Sequence, residues 1–284
     1  MREIQPPNSL LWPCQLPYTL PRNHRFPEHS RRKNPLKMST LPKKLKVDAI
    51  VESVLEIRFE GSIAPELVMA RLIDNGSWAN FKDNRLPISE IPEQIRVNDA
   101  GLKFQPHFIL ENEQGPEVVK IGPNMISCSY INKYRGWENF SVLISEMLHV
   151  LFKHVKGVKI KRLGLRYVNA LSSEKHNVKS IDELKYSIML QEKDIARFSS
   201  LTYKLELSED HIVLTKIVSP EFIISREHNN AIAFVDIDVS TKDVRVEIGS
   251  TEDAMSWIEQ AHDFEKEVFF GLLPEEIIKD LMVD

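Results

Sequence analysis

Two cysteines in 284 residues, Cys14 and Cys128, are too few for a disulfide framework or an all-cysteine zinc site. Such sparing use fits a reducing cytoplasm. Glycine is scarce as well. None of the ten glycines lies in G-x-x-x-x-G-K-[ST], G-x-G-x-x-G or G-x-S-x-G spacing, which disfavours phosphate loops, dinucleotide folds and a serine elbow. No apolar run approaches the ~18–20 residues that cross a bilayer, and the opening MREIQPPNSLLWPCQLPYTLP lacks the basic start and apolar core of a secretory signal. H-E-x-x-H, paired C-x-x-C and EF-hand spacings are missing, so neither a metal nor a cofactor is expected. A net charge of −4 gives no reason to expect nucleic acid as the partner of residues 38–284.

What is present divides unevenly. Residues 1–37 hold seven Lys and Arg against Glu3 and Glu28, a balance of +5, which leaves −9 for the remainder. Seven of the 16 prolines fall in the same stretch, and proline at that density permits neither a helix nor a central strand. Residues 1–37 are therefore expected to be a disordered or mis-assigned N-terminal extension, with folding beginning near Met38-Ser39-Thr40.

From there the pattern alternates between strand and helix periods. In Asp48–Phe59, Ala49, Val51, Ser53, Leu55, Ile57 and Phe59 share one face, and Glu52, Glu56 and Arg58 share the other. Pro65 opens a short helix that Asn75-Gly76 stops, and the stretch through Pro87 and Pro92 reads as loop. Phe104–Leu110, Glu117–Ile121 and Met125–Asn132 form a meander. A helix follows with Phe140, Leu143, Ile144, Met147, Leu148, Leu151 and Val155 inward. Val158–Leu171 is a strand whose alternation slips between Arg162 and Leu163. In the second half Phe198–Leu207, His211–Ile217, Ala231–Val239 and Val244–Ile248 read as strands. Thr251–Phe270 is a helix with Met255, Ile258, Ala261, Phe264 and Val268 inward, and a last short helix begins at Leu273-Pro274. Grouped strands and segregated helices give an α+β fold of antiparallel sheets packed by amphipathic helices. Residues 38–172 and 173–284 form two halves that share a strand-strand-strand-helix plan, the plan of a duplicated unit.

Candidate chemistry is thin. Glu52, Glu56 and Arg58 suit acid/base work or cation binding, while an exposed ion-paired strand face is the commoner meaning of such a group. Arg166 and Asn169 suit bidentate recognition of a carboxylate or phosphate; alternatively Arg166 satisfies a buried carboxylate such as Glu56. Trp137, Tyr167 and Trp257 are expected as structural anchors, with Glu138 or Asn139 capping the helix after Gly136. His262-Asp263 lacks the further ligands that metal-dependent phosphohydrolysis needs; His149 and His154 lie on different helix faces.

Four segments, Asp48–Phe59 (DAIVESVLEIRF), Tyr134–Phe140 (YRGWENF), Arg162–Asn169 (RLGLRYVN) and Ala261-His262 before Phe269, together resemble a sporadically distributed, uncharacterised prokaryotic protein family. Its members run about 250 residues and begin just before the first segment, which agrees with a start at Met38. Asp48 stands where that family commonly has proline. The resemblance implies a shared fold and patchy inheritance, and no particular reaction. The expectation is a cytoplasmic, non-enzymatic binding or regulatory module whose partner is another protein, conceivably accessory to a mobile defence or toxin-control system. The competing expectation is an enzyme that uses Glu52, Glu56, Arg58 and Arg166 in one cleft.

Overall fold

The computed structural model describes residues 41, 42, 45–99, 101–186, 188–190, 193, 194, 200–219, 228, 230–242 and 248–282. The expected extension over 1–37 and nearly all of the expected strand Val244–Ile248 lie outside the described residues. The elements, in chain order, are β1 (Ile50–Glu60), α1 (Pro65–Ile73), β2 (Phe81–Arg85), α2 (Glu93–Asn98), β3 (Phe108–Asn112), β4 (Glu117–Gly122) and β5 (Met125–Ile131). Next come α3 (Trp137–His154), β6 (Lys159–Ser172), α4 (Ser173–His176), and the two-residue strands β7 (Met189–Leu190) and β8 (Lys193–Asp194). The chain continues through β9 (Ser200–Glu206), β10 (His211–Val218), β11 (Ala231–Thr241), α5 (Thr251–Leu272) and α6 (Glu275–Leu281).

Nine strands form one sheet in the order β2-β3-β4-β5-β1-β6-β11-β10-β9, antiparallel throughout. The architecture is α+β, and of the antiparallel sheets anticipated one holds nine strands while β7 and β8 form a separate two-stranded one. β1 and β6 pair along their length, and the pairing of β6 with β11 carries the sheet across residue 172. Twice along the chain a strand is followed by a meander whose last strand returns to pair with it (β5 on β1, β11 on β6), and a long helix comes next; the second such strand, β6, precedes the boundary anticipated at residue 173.

The region read as loop before Pro87 contains β2, at the sheet edge. Its sequence, FKDNR, has no apolar alternation because it is largely solvent-exposed and held by backbone pairing to β3. Trp78 and Phe81 pack edge to face at 5.5 Å and seat this edge on the core.

Helices cover one face of the sheet. Leu55, Ile57 and Phe59 of β1, Leu163, Leu165 and Tyr167 of β6, and Val235, Ile237 and Val239 of β11 point to it. Phe140, Ile144, Met147, Leu148 and Leu151 of α3 and Ala254, Ile258 and Ala261 of α5 close over them. Each such large side chain contributes about 1.5–3 kcal/mol by leaving water, so this layer dominates the stability.

Two bulges between β1 and β6 set which of their residues face which side. Ile50 pairs with Asn169 and Glu52 with Val168, so Val51 is the extra residue. It therefore leaves the face shared by Leu55 and Ile57, where alternation places it, and packs on the opposite side with Val168, Ala170, Ala231 and Phe234. The second bulge is at Lys161, since Arg58 pairs with Arg162 but Phe59 with Ile160. That lies beside the slip anticipated between Arg162 and Leu163. Among the described residues no helix is long and apolar enough to cross a membrane.

Candidate functional site

The face turned away from the helices carries the charged side chains of the central strands. Glu56 Oε1 accepts from Arg58 Nε at 2.7 Å and from Arg162 Nη1 at 3.0 Å, and Arg162 Nη2 donates to Asp238 at 2.8 Å. Arg166 holds Asp236 through two parallel bonds, Nε to Oδ1 at 2.7 Å and Nη2 to Oδ2 at 2.8 Å. Arg166 thus satisfies Asp236, while Glu56 is shared by Arg58 and Arg162. Burial works against the Arg166 charge, yet the Asp236 hydrogen bonds and charge outweigh it and raise its pKa. Glu52 Oε2 lies 3.9 Å from Arg166 Nη1 and is buried without a hydrogen bond among the described residues. Burial pushes the Glu52 carboxyl up and the neighbouring Lys120 ammonium down. The arrangement cross-links β1, β6 and β11. Asn169 does not belong to it: three residues beyond Arg166, it faces the helix side, where its Nδ2 donates to the Val235 carbonyl at 3.3 Å.

A second place is concave. A cavity of about 590 Å³ opens between the start of β1, the turn into α3, the end of β6 and the middle of α5. Its size falls within the range of small-molecule sites, roughly 300–1,000 Å³. Gly136 makes the turn possible: its φ of 88° and ψ of 161° belong to a region open essentially to glycine alone. α3 therefore begins without a side-chain cap, and Asn139, anticipated as a possible cap, instead donates from Nδ2 to the Arg135 carbonyl at 2.8 Å. Glu138 complements the dipole in the first turn.

The turn delivers Tyr134 and Trp137 to the cavity wall. Trp137 stacks on His262 of α5 with ring centroids 3.9 Å apart and planes 8° from parallel. Below them Tyr167, fully buried, is hydrogen-bonded to Tyr134, and its hydroxyl lies 3.4 Å from His262 Nδ1. Burial, with Lys266 nearby, lowers the His262 pKa to about 3, so the imidazole is neutral at neutral pH. Burial also raises both phenols.

Glu265 completes the wall. It is 5% exposed and lines the cavity. Burial, opposed by Lys266, raises its pKa to about 8, so it is mostly protonated at pH 7. Among the described residues no three His, Cys, Asp or Glu side chains are grouped to hold a metal ion.

Trp137 and Tyr167, anticipated as anchors, are thus part of the cavity region, whereas Trp257 is buried against His211, the rings 4.6 Å apart and 8° from parallel. The inward stripe of α5 differs from the one anticipated. Ala254, Trp257, Ile258, Ala261, Glu265 and Phe269 are buried, and Met255, Phe264 and Val268 only half-buried. Glu265 was legible as a carboxylate in register with Ile258 and Ala261, on a face otherwise apolar. Asp236 and Asp238 were legible too, as the polar phase of Val235–Val239, but their partners lie some 70 residues away in sequence. No protein-family model matches the chain, and no curated protein matches it.

Proposed function

We propose that the chain is a non-enzymatic binding module of the cytoplasm that takes hold of its partner at the cavity between α3 and α5. One observation carries the reading: a carboxyl only 5% exposed, that of Glu265, lines a roomy cavity walled by aromatic rings. Burying a carboxyl is costly unless a polar partner meets it, and a guest in the cavity can be such a partner. The four segments behind the family resemblance support the same place. Asp48 to Ile50, Tyr134 to Glu138, Asn169, and His262 with Phe269 each form part of the wall. Within this reading, the parallel plan of the two halves supports descent from one duplicated unit, and an accessory role in a mobile module rests on the resemblance alone.

A fragment screen by ligand-observed NMR against the full chain, repeated on Asp263→Trp at the cavity wall, tests this. Hits that disappear in the variant at unchanged Tm are the expected result. No hits, or hits that survive the substitution, would overturn the reading.

A further inference from the structure

We infer that the group received by this cavity is an organic cation, an ammonium or guanidinium, with the Glu265 carboxylate as its counter-ion. This rests on the cavity being the binding site and adds the chemistry of the guest. Carboxylates dominate the charged part of the lining: Asp48, Glu138, Glu259, Asp263 and Glu265. Against them stand Arg135 and Lys266, and Arg135 is already held by Glu117 at 2.8 Å. Aromatic rings make up much of the remaining wall, through Tyr134, Trp137, Phe269 and Phe270. Carboxylate beside aromatic surface is the combination that recognises organic cations, since the ring quadrupole and the carboxylate both attract positive charge. A metal ion is poorly served here, with no three ligating side chains grouped among the described residues. The start of α3 would favour an anion, but Glu138 in its first turn already answers that dipole.

Binding is then linked to a proton. Without a guest, burial keeps Glu265 mostly protonated below pH 8. A cation beside it favours the ionised form, so the carboxyl proton leaves to the buffer as the ion pair forms. The groups around Glu265 are Tyr134 from the turn, Tyr167 from β6, Asp48 before β1, and His262 and Lys266 on its own helix. The phenols and the imidazole stay neutral between pH 6 and 8, leaving Glu265 as the group that titrates there.

The test compares three probes of one shape, n-butylammonium, n-butanol and n-butyrate, by calorimetry on the full chain. n-Butylammonium is expected to bind at least tenfold tighter than the other two. Its affinity should rise by up to about tenfold per pH unit from pH 6 to 8, with up to one proton released. Glu265→Gln should abolish both the preference and the pH dependence. A capped Ala-Lys-Ala peptide locates the cation: tighter binding than n-butylammonium assigns it to a protein side chain, and weaker binding to a free amine. Equal binding of the alcohol or the carboxylate, or cation binding that keeps its affinity in Glu265→Gln, would overturn the inference. Should that variant fail to fold, proton release by the unaltered protein, read in two buffers, still decides. If no probe binds, the cation inference falls, while the Asp263→Trp screen judges the cavity separately.

Discussion

The indole of Trp137 and the imidazole of His262 lie face to face, 3.9 Å between centroids, and join the first turn of α3 to the middle of α5. The stack roofs Tyr167 of the central strand, and Glu265 sits one helical turn further along α5. Two groups titrating in opposite senses thus share one cavity wall.

Their opposition should appear in the pH dependence of stability. The His262 pKa falls from its ordinary 6.5 to about 3, so its contribution is complete above pH 6.5 and is lost as pH drops toward 3. The Glu265 pKa rises from 4.5 to about 8, so its contribution is complete below pH 4.5 and is lost as pH climbs through 8. Each slope is at most ~1.4 kcal/mol per pH unit, and the two cancel between pH 4.5 and 6.5. In urea denaturation across pH 4 to 9, Glu265→Gln should remove the alkaline loss and His262→Phe the acid loss. A Glu265→Gln profile parallel to that of the unaltered protein would contradict the assignment.

Arg166 neutralises Asp236 and stands nearest to Glu52 on a largely buried face. Arg166→Met should therefore cost on the order of 3–5 kcal/mol, because two carboxylates lose their cation. Adding Asp236→Asn should restore part of that loss. A double-mutant cycle that gives strict additivity would show the pair to be uncoupled.

Gly164 lies directly beneath the Arg162 guanidinium, where an added methyl collides with it. Arg162 cannot simply swing away, since it is tied to both Glu56 and Asp238. Gly164→Ala should cost about 1–3 kcal/mol and should add little once Arg162→Ala is present. Full additivity of the two would mean that the collision is relieved elsewhere.

At Gly136 the expectation differs in kind. A Cβ there meets nothing within 4 Å, so Gly136→Ala is penalised by backbone conformation alone, about 1–3 kcal/mol. Chemical shifts should move at Tyr134 and Trp137 while the α3 core stays put. A neutral effect on Tm would show that the turn can relax.

The α3 stripe could be read from sequence, apart from the buried Val150, because 3.6-residue periodicity depends only on neighbours three and four apart. The faces of β1 and β6 could be read only as far as their bulges. Val51 changes sides there, an extra residue that no alternation rule reveals. Asn169 fell into the wrong group although its odd spacing from Arg166 already put it on the other face.

Taken alone, the amino-acid sequence determined the class of the fold, the long helices, the meanders and the central alternating strands, since each rests on local period and turn chemistry. It also supplied every residue of the cavity wall. The tertiary structure decided which of them meet. Antiparallel pairing of β1 with β6 set Asp48 and Asn169 at one end of the sheet, and the packing of α3 against α5 brought Trp137 to His262 above Tyr167. The burial that perturbs Glu265 comes from chain segments more than 100 residues apart, and burial of that kind leaves no local pattern to read.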